Sequence, residues 1–145
     1  MKVEEILKKK GRDVATTTAD TGVQMALHRL TALNIGALVV TADGSTVEGM
    51  LSERDVVRAV EKHGRAFVDL TVREVMSRNV PSCAPSDTLT EVMAIMTRTR
   101  QRHLPVIDRA GALCGVVSIG DIVKRRLDEL ELETGALRSA YIAHR

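Results

Sequence analysis

The sequence predicts an α+β fold in which two pseudo-symmetric β-α-β-β-α repeats pack as one module. The first observation is a pattern that occurs twice, as GMLSERD at 49–55 and as GVVSIGD at 115–121. Both copies read glycine, two apolar residues, serine, two variable residues and aspartate. The second observation is that the same shift aligns apolar positions along both halves of the chain. A half of about 60 residues buries too little surface to be stable alone, so we expect the repeats to pack together.

The first repeat begins with a short strand around 14–17, followed by a helix. One buried helical face is indicated by apolar residues at i, i+3, i+4 and i+7, namely Val23, Ala26, Leu27 and Leu30. The β-branched run 37–41, an Asp-Gly turn and the return strand 47–51 predict a hairpin. A second helix is predicted to start at Ser52.

The second repeat has the same predicted order of elements. A short strand around 80–83 precedes a helix with the same apolar spacing, formed by Leu89, Val92, Met93 and Met96. The runs 104–107 and 113–117 predict the hairpin, and the second helix is predicted to start at Ser118.

Three segments follow from this alignment. We place the first repeat with its lead-in helix at 1–66, the second repeat at 67–128 and a C-terminal helical extension at 129–145. VEEIL at 3–7 and VREVM at 72–76 are predicted as matching lead-in helices. Beyond the second repeat, four apolar residues fall near one helical face: Leu127, Leu130, Leu137 and Tyr141. This face either packs on its own domain or forms a dimer or partner contact.

Composition indicates an ordinary soluble globular protein, with 44% apolar and 28% charged residues among 145. The formal charge of +2 is too weak to indicate a nucleic-acid partner. No run of about 18 apolar residues is present, as a bilayer span would need. The N-terminal MKVEEILKKK lacks the apolar core of a signal peptide. We therefore expect a cytoplasmic protein that does not enter the membrane.

Sequence motifs of common enzymes are absent. The chain has no GxxxxGK[ST] phosphate loop, no GxGxxG after a strand, no HExxH and no GxSxG, so we do not expect an enzyme. Cys83 and Cys114 occupy apolar strand positions without CxxC spacing, which favours buried reduced thiols. A zinc site would require both cysteines to meet His103 in space, and no metal is expected.

The repeated serine and aspartate are spaced as a capping box, Ser52 with Asp55 and Ser118 with Asp121. Helix capping is a sufficient explanation for either copy of the motif taken alone. A glycine precedes the cap in both copies, where a ligand is able to approach the backbone closely. A helix N-terminus attracts phosphate, and a carboxylate accepts hydrogen bonds from two adjacent hydroxyls. We therefore assign the aspartates to the ribose diols of two nucleotides, and the serines to the phosphate or ribose side.

The repeat order, the Gly-apolar-apolar-Ser-x-x-Asp ending and the strand HLPVID at 103–108 resemble a tandem pair of CBS domains. This cystathionine-β-synthase-type pair is also called a Bateman module, and the resemblance covers roughly 3–128. It implies a regulatory protein with clefts between the repeats that bind AMP, ADP, ATP, S-adenosylmethionine or NAD(H). It also implies homodimers shaped as flat discs. With no other domain attached, the chain resembles free-standing CBS proteins.

The resemblance implies further ligand contacts. Pro105 resembles the proline that contacts the base in this family. Thr16 and Thr17 in the first repeat, and Ser82 and Cys83 in the second, align with the short strand whose backbone would cover the adenine.

The two predicted sites differ in charge. Arg54 lies between serine and aspartate in the first copy, where it is able to pair with a phosphate. The second copy has glycine there, but Arg102 and His103 precede its central strand. Both are candidates for phosphate contacts, although His103 is equally interpreted as a residue that caps a loop. Ala37, at the position of His103, and Ile119, next to the second serine, complete the predicted contacts. We expect unequal affinities or two different ligands.

Three functions are consistent with these observations. The leading hypothesis is an adenine-nucleotide sensor in which the ligand bridges the repeats and biases an interaction with a regulated protein. The second is a nucleotide-free structural or dimerising adaptor. The third is a nucleic-acid binder that uses Arg54, Arg102 and the cluster 124–126, and it predicts binding that falls steeply with salt.

Overall fold

The computed structural model describes residues 1–143 and confirms an α+β fold built from two similar halves. Its helices and strands are α1 (Val3–Lys10), β1 (Thr16–Thr17), α2 (Val23–Leu33), β2 (Ala37–Val40), β3 (Gly49–Ser52), α3 (Glu53–His63), α4 (Val72–Val75), α5 (Leu89–Thr99), β4 (His103–Ile107), β5 (Leu113–Ser118) and α6 (Ile119–Ala143). A 3-10 helix, Gly64–Asp69, joins α3 to α4. The predicted starts of the second helices are correct, because Ser52 and Ser118 immediately precede α3 and α6.

The two sheets are similar but not equal. In the first, β1 runs parallel to β2, and β2 runs antiparallel to β3. In the second, β4 and β5 are antiparallel, and Cys83 alone bridges to Val106 in place of a first strand. The reason lies at Pro105. Its counterpart Val39 donates its N–H to Ala15 in the first sheet, and proline has no N–H to donate.

The predicted lead-in helices are both present, and each packs on the half opposite to the one it precedes. Val3, Ile6 and Leu7 of α1 are buried in the core of the second sheet. Val72 and Val75 of α4 are buried in the core of the first sheet. The boundaries at 1–66, 67–128 and 129–145 stay a prediction. The packing nevertheless shows that α1 contributes its apolar face to the second repeat.

Backbone hydrogen bonds repeat this exchange on both sides. Val3 N–H donates to the Asp87 carbonyl at 2.9 Å, and Val72 N–H donates to the Thr21 carbonyl at 2.8 Å. Isolated bridges pair Lys2 with Thr88 and Gly22 with Thr71. The two halves are therefore linked reciprocally, and neither core is complete without a helix from the other side of the chain.

The motif glycines make room for the lead-in segments. A Cβ on Gly49 would lie 2.5 Å from the backbone oxygen of Ser77, directly after α4. A Cβ on Gly115 would lie 2.6 Å from the side chain of Leu7 in α1. We expected a ligand to approach the backbone at these glycines. In the structure the approaching group is another part of the chain.

The C-terminal helix α6 leaves the rest of the protein at its second half. Every residue from Glu131 to Ser139 is exposed. Leu127, Leu130 and Leu137 of the predicted apolar face are 54%, 42% and 71% exposed, so this face does not pack on its own domain. The side chain of Tyr141 lies outside the described residues. Within residues 1–143, no helix combines the length and the apolar character that a membrane crossing requires.

Candidate functional site

A cavity of about 300 Å³ lies between the two repeats. The first repeat contributes the end of β3 and the start of α3, including Ser52, Arg54 and Asp55. The second repeat contributes the loop between α5 and β4, including Arg102 and His103. The structure therefore brings together predicted contacts from sequence positions far apart, and Ala37 at the start of β2 also lines the cavity.

The cavity is rich in positive charge. Four arginines line it: Arg54, Arg58, Arg100 and Arg102. All four are exposed, and Arg54 Nη1 donates to the Arg100 carbonyl at 3.4 Å, which joins the two repeats across the opening. The lining carboxylates are Glu53 and Asp55. Guanidinium groups in this number are well suited to an anionic ligand such as a phosphate.

Asp55 is held by three hydrogen bonds at the start of α3. Its Oδ2 accepts from the Ser52 N–H and the Ser52 hydroxyl, both at 2.9 Å. Its Oδ1 accepts from the Ser77 hydroxyl at 2.6 Å. Asp55 is only 8% exposed, so the carboxylate completes a capping box within the fold. A ribose diol at this site has to share these oxygens or displace the Ser77 hydroxyl.

Asp121 accepts from a different distant side chain. Its Oδ2 accepts from the Ser118 N–H at 2.8 Å and from Lys10 Nζ at 2.8 Å. Lys10, at the end of α1, also donates to the Val116 carbonyl at 3.0 Å. Burial acts to raise the pKa of Asp121, but the Lys10 ammonium and the Ser118 donors outweigh it, and the pKa lies below its ordinary value. Lys10 therefore covers the second motif aspartate.

His103 lines the same cavity as Asp55 and lies near enough to Asp121 to be affected by its charge. It opens β4, is half-buried and faces Gly36, where a Cβ would lie 3.0 Å from its ring. Burial and the nearby Lys10 ammonium hold the pKa of His103 below its ordinary value, although Asp121 acts in the opposite direction. The lowered pKa favours the neutral imidazole, which offers one donor and one acceptor to a ligand.

Several predicted contacts lie outside this cavity. Thr16 and Thr17 line a separate groove of about 510 Å³ beside α2. Ser82 is exposed, whereas Cys83 and Pro105 are buried in the second sheet.

The second motif is also separate from the arginine-rich cavity. Asp121 lines a crevice of about 170 Å³ with Lys9 and Lys10. Ser118 caps α6, where its hydroxyl accepts from the Asp121 N–H at 3.1 Å. Ile119 is 45% exposed and donates its N–H to the Arg102 carbonyl at 2.9 Å. In the described part of the chain, the two predicted sites are thus unequal in size, although four cationic and two acidic side chains line each of them.

Sequence reasoning missed three residues at these sites. Arg58 follows Arg54 by one helical turn, and this i, i+4 spacing was a usable signal. Ser77 donates a hydrogen bond to Asp55, and Lys10 donates one to Asp121. Both donors come from distant segments of the chain, and no local sequence pattern marks either of them.

Cys83 and Cys114 are free cysteines. Burial raises the pKa of Cys83 to about 12, and burial also raises the pKa of Cys114. Both are therefore thiols at neutral pH. Across residues 1–143, the histidines, cysteines and carboxylates form no group of three or more able to hold a metal ion.

Comparisons with known proteins follow the same division of the chain. The family model of the CBS domain matches residues 3–62 and 72–128. The crystal structure of the CBS-domain containing protein ATU1752 from Agrobacterium tumefaciens is 42% identical with a TM-score of 0.83, and the match covers 87% of this chain and 99% of that one. The mitochondrial CBS domain-containing protein CBSX3 of Arabidopsis thaliana is 32% identical over 97% of this chain and 71% of its own length.

A further solved structure shares the fold at lower identity. It is the CBS domain pair of protein MJ0100 in complex with 5'-methylthioadenosine and S-adenosyl-L-methionine. The match is 22% identical with a TM-score of 0.75, and it covers 86% of this chain and 98% of that one.

Proposed function

This chain belongs to the CBS-domain family, and we propose that it is a regulatory module that binds an adenosine-containing nucleotide between its repeats. The observation that carries the proposal is the cavity in which Ser52, Arg54 and Asp55 of one repeat face Arg102 and His103 of the other. The complex of MJ0100 with two adenosine compounds supports this ligand class. AMP, ADP, ATP and NAD(H) all belong to it.

Each part of the ligand has a proposed partner. The phosphates lie against Arg54, Arg58 and Arg102, near the N-terminus of α3, whose dipole favours negative charge. The ribose hydroxyls bind Asp55, with Ser52 beside them. Ala37 and His103 form the wall of the cavity. The predicted contacts outside the cavity, Thr16, Thr17, Ser82, Cys83 and Pro105, stay proposals for backbone and base contacts that require the repeats to move.

A second nucleotide at Ser118, Ile119 and Asp121 faces a specific obstacle. Lys10 Nζ already bonds Asp121 and the Val116 carbonyl. A diol that binds this aspartate has to displace the ammonium, which is attached to α1. We therefore propose that the arginine-rich cavity binds first and with higher affinity.

Regulation follows from the position of the cavity. Its lining comes from both repeats, so a bound ligand contacts both and favours the relative arrangement that it fits best. The switch requires different affinities for two arrangements, typically with a coupling of about 1–3 kcal/mol. The readout is an interaction with a regulated protein, and the proposal assigns the chain no catalysis.

Thermal unfolding with AMP, ADP, ATP, NAD, NADH, S-adenosylmethionine and GTP tests the proposal. A ligand at 100 times its dissociation constant adds about 2.7 kcal/mol of stability. We expect adenosine compounds to raise the melting temperature and GTP to leave it unchanged. Arg102→Ala and Arg54→Ala should each weaken the effect, while the exposed loop variant Arg109→Ala retains it.

These arginine variants are better probes than Asp55→Ala, because Asp55 also caps α3. If nucleotide-free protein shows no shift with any of the compounds, the sensor is excluded and the adaptor function stands. If binding is instead found with DNA or RNA and falls steeply with salt, the basic cavity serves a nucleic acid.

A further inference from the structure

Arg100 directly follows α5 and has a left-handed backbone conformation, with φ of 57° and ψ of 30°. Among residues 1–143, the other non-glycine residues with positive φ are Asn34 and Asn79. Asparagine adopts this conformation at small cost, because its short side chain forms local hydrogen bonds, whereas most other residues are strained in it. Arg100 is therefore the residue of the three whose type disfavours its own backbone conformation.

The first repeat has Asn34 at the position equivalent to Arg100. Asn34 directly follows α2 and has nearly the same dihedral angles, with φ of 52° and ψ of 50°. The fold therefore requires a left-handed residue after this helix in both repeats, and asparagine meets the requirement in the first. Folding alone does not explain an arginine in the second. Strained residues of this kind cluster at ligand sites, where the surrounding structure holds them in place.

Arg100 lines the cavity between the repeats together with Arg54, Arg58 and Arg102. Its carbonyl accepts from Arg54 Nη1 at 3.4 Å, so its backbone also holds a second arginine of the cavity. In the described part of the chain, none of these four arginines forms an ion pair with a carboxylate. Four guanidinium groups around about 300 Å³ repel one another unless an anion is bound between them. The strained residue thus adds positive charge where three other arginines already lie.

We propose that Arg100 is a specificity-determining residue, which makes the cavity select nucleotides with two or more phosphates over monophosphates. This inference rests on the proposed function. A terminal phosphate offers three strong acceptor oxygens, and one bidentate guanidinium occupies two of them. Arg54, Arg58 and Arg102 are therefore sufficient for a single phosphate. The fourth guanidinium gains a partner when a second phosphate is present, so ADP and ATP bind more tightly than AMP.

Calorimetric titration of the nucleotide-free full chain with AMP, ADP and ATP tests the selectivity. Arg100→Gln removes the charge and should weaken ATP binding about tenfold, but AMP binding less than about threefold. Arg109→Gln, at an exposed turn, is the control and should bind all three as the wild type does. If the wild type binds AMP as tightly as ATP, or Arg100→Gln weakens both equally, this inference is wrong and the proposed function stands. If the wild type binds none of the three, both are overturned.

Thermal unfolding of the ligand-free protein tests the strain. Arg100→Asn gives the second repeat the residue type of the first and should raise the melting temperature by about 2–4 °C. Arg100→Gln, which keeps an unfavourable residue type in the left-handed conformation, should gain less. Asn34→Arg should lower the melting temperature and leave ATP affinity unchanged, because Asn34 does not line the cavity. If Arg100→Asn is no more stable than Arg100→Gln, the strain is absent and the proposal is overturned.

Discussion

The two motif aspartates, Asp55 and Asp121, occupy equivalent positions, but each accepts a hydrogen bond from a different distant side chain. Each accepts the backbone N–H of a serine that caps its helix. Asp55 also accepts a hydrogen bond from the neutral hydroxyl of Ser77, and Asp121 accepts one from the ammonium of Lys10. Ser77 lies two residues after lead-in helix α4, and Lys10 is the last residue of lead-in helix α1. Each of these helices packs on the repeat that contains the aspartate. The backbone symmetry is therefore retained, while the chemistry at each site depends on a segment outside the repeated motif.

The difference extends to the surroundings of each aspartate. The first lies beside an open cavity with four arginines, and the second lies in a narrow crevice beside lysines. At the first site, all four guanidinium groups are exposed. At the second site, Lys10 is paired with Asp121, while Lys9, Lys124 and Arg125 also line the crevice. Duplicated motifs thus do not imply duplicated sites.

The largest expected difference between the repeats concerns the motif glycines. Gly49→Ala should lower the free energy of unfolding by about 3 kcal/mol, because its Cβ meets a backbone oxygen that cannot move alone. Gly115→Ala should cost about 1–2 kcal/mol, because the Leu7 side chain that it meets is able to shift. Urea denaturation measures both. Gly22→Ala is the control, since a Cβ there meets nothing within 4 Å. Equal costs at both glycines would contradict this account.

A smaller effect is expected at the ion pair of the second site. Lys10→Met should raise the pKa of Asp121, which NMR titration of its carboxyl carbon measures. The stability loss at pH 7 should be below about 1 kcal/mol, because solvent screens a pair in which Lys10 is 40% exposed.

The pH dependence of that loss has a definite sign. The lowered pKa of Asp121 contributes stability above the ordinary value of 3.8, and the contribution disappears as pH falls through the folded-state pKa. Wild type and Lys10→Met should therefore converge in acid, and Lys8→Met should follow the wild type. A difference that persists at the acidic end would show that Lys10 acts through packing instead of charge.

The smallest effect is expected at His103 and concerns the pH dependence of the free energy of unfolding. Because its pKa is lowered in the folded protein, the unfolded chain takes up a proton first as pH falls. The free energy of unfolding should therefore decrease as pH falls below the ordinary value of 6.5. His103→Gln should reduce this slope, and the exposed His28→Gln should leave it unchanged. Urea denaturation between about pH 7.5 and 5.5 measures the slopes. If the slope is unchanged in His103→Gln, the pH dependence of the free energy of unfolding comes from titratable groups other than His103.

Much of the fold was predictable because its signals are local. The apolar spacing of α2 and α5 requires only neighbours on one helical turn, and the capping serines mark the starts of α3 and α6. The predicted short strand of the second repeat was overestimated. Only Cys83 pairs there, with two backbone hydrogen bonds, because Pro105 on the neighbouring strand lacks the N–H that a third bond requires.

The candidate site was predictable only in part. Ser52, Arg54 and Asp55 share one short motif, so their proximity follows from a single helix start. Their meeting with Arg102 and His103 was expected from the family resemblance. No sequence pattern predicts the ion pair between Lys10 and Asp121, since the two residues lie far apart along the chain.

The sequence by itself determined the duplicated architecture, because hydrophobic periodicity and helix caps act over a few residues and were present in both copies. Only the tertiary structure decided which helix covers which core, where the arginines converge and which distant side chain donates a hydrogen bond to each aspartate. Those features depend on contacts between distant segments, whose distances and hydrogen bonds exist only once both repeats have packed. The motif glycines illustrate the division: their spacing marked the repeat, and the packing of α1 and α4 explained why they must be glycine.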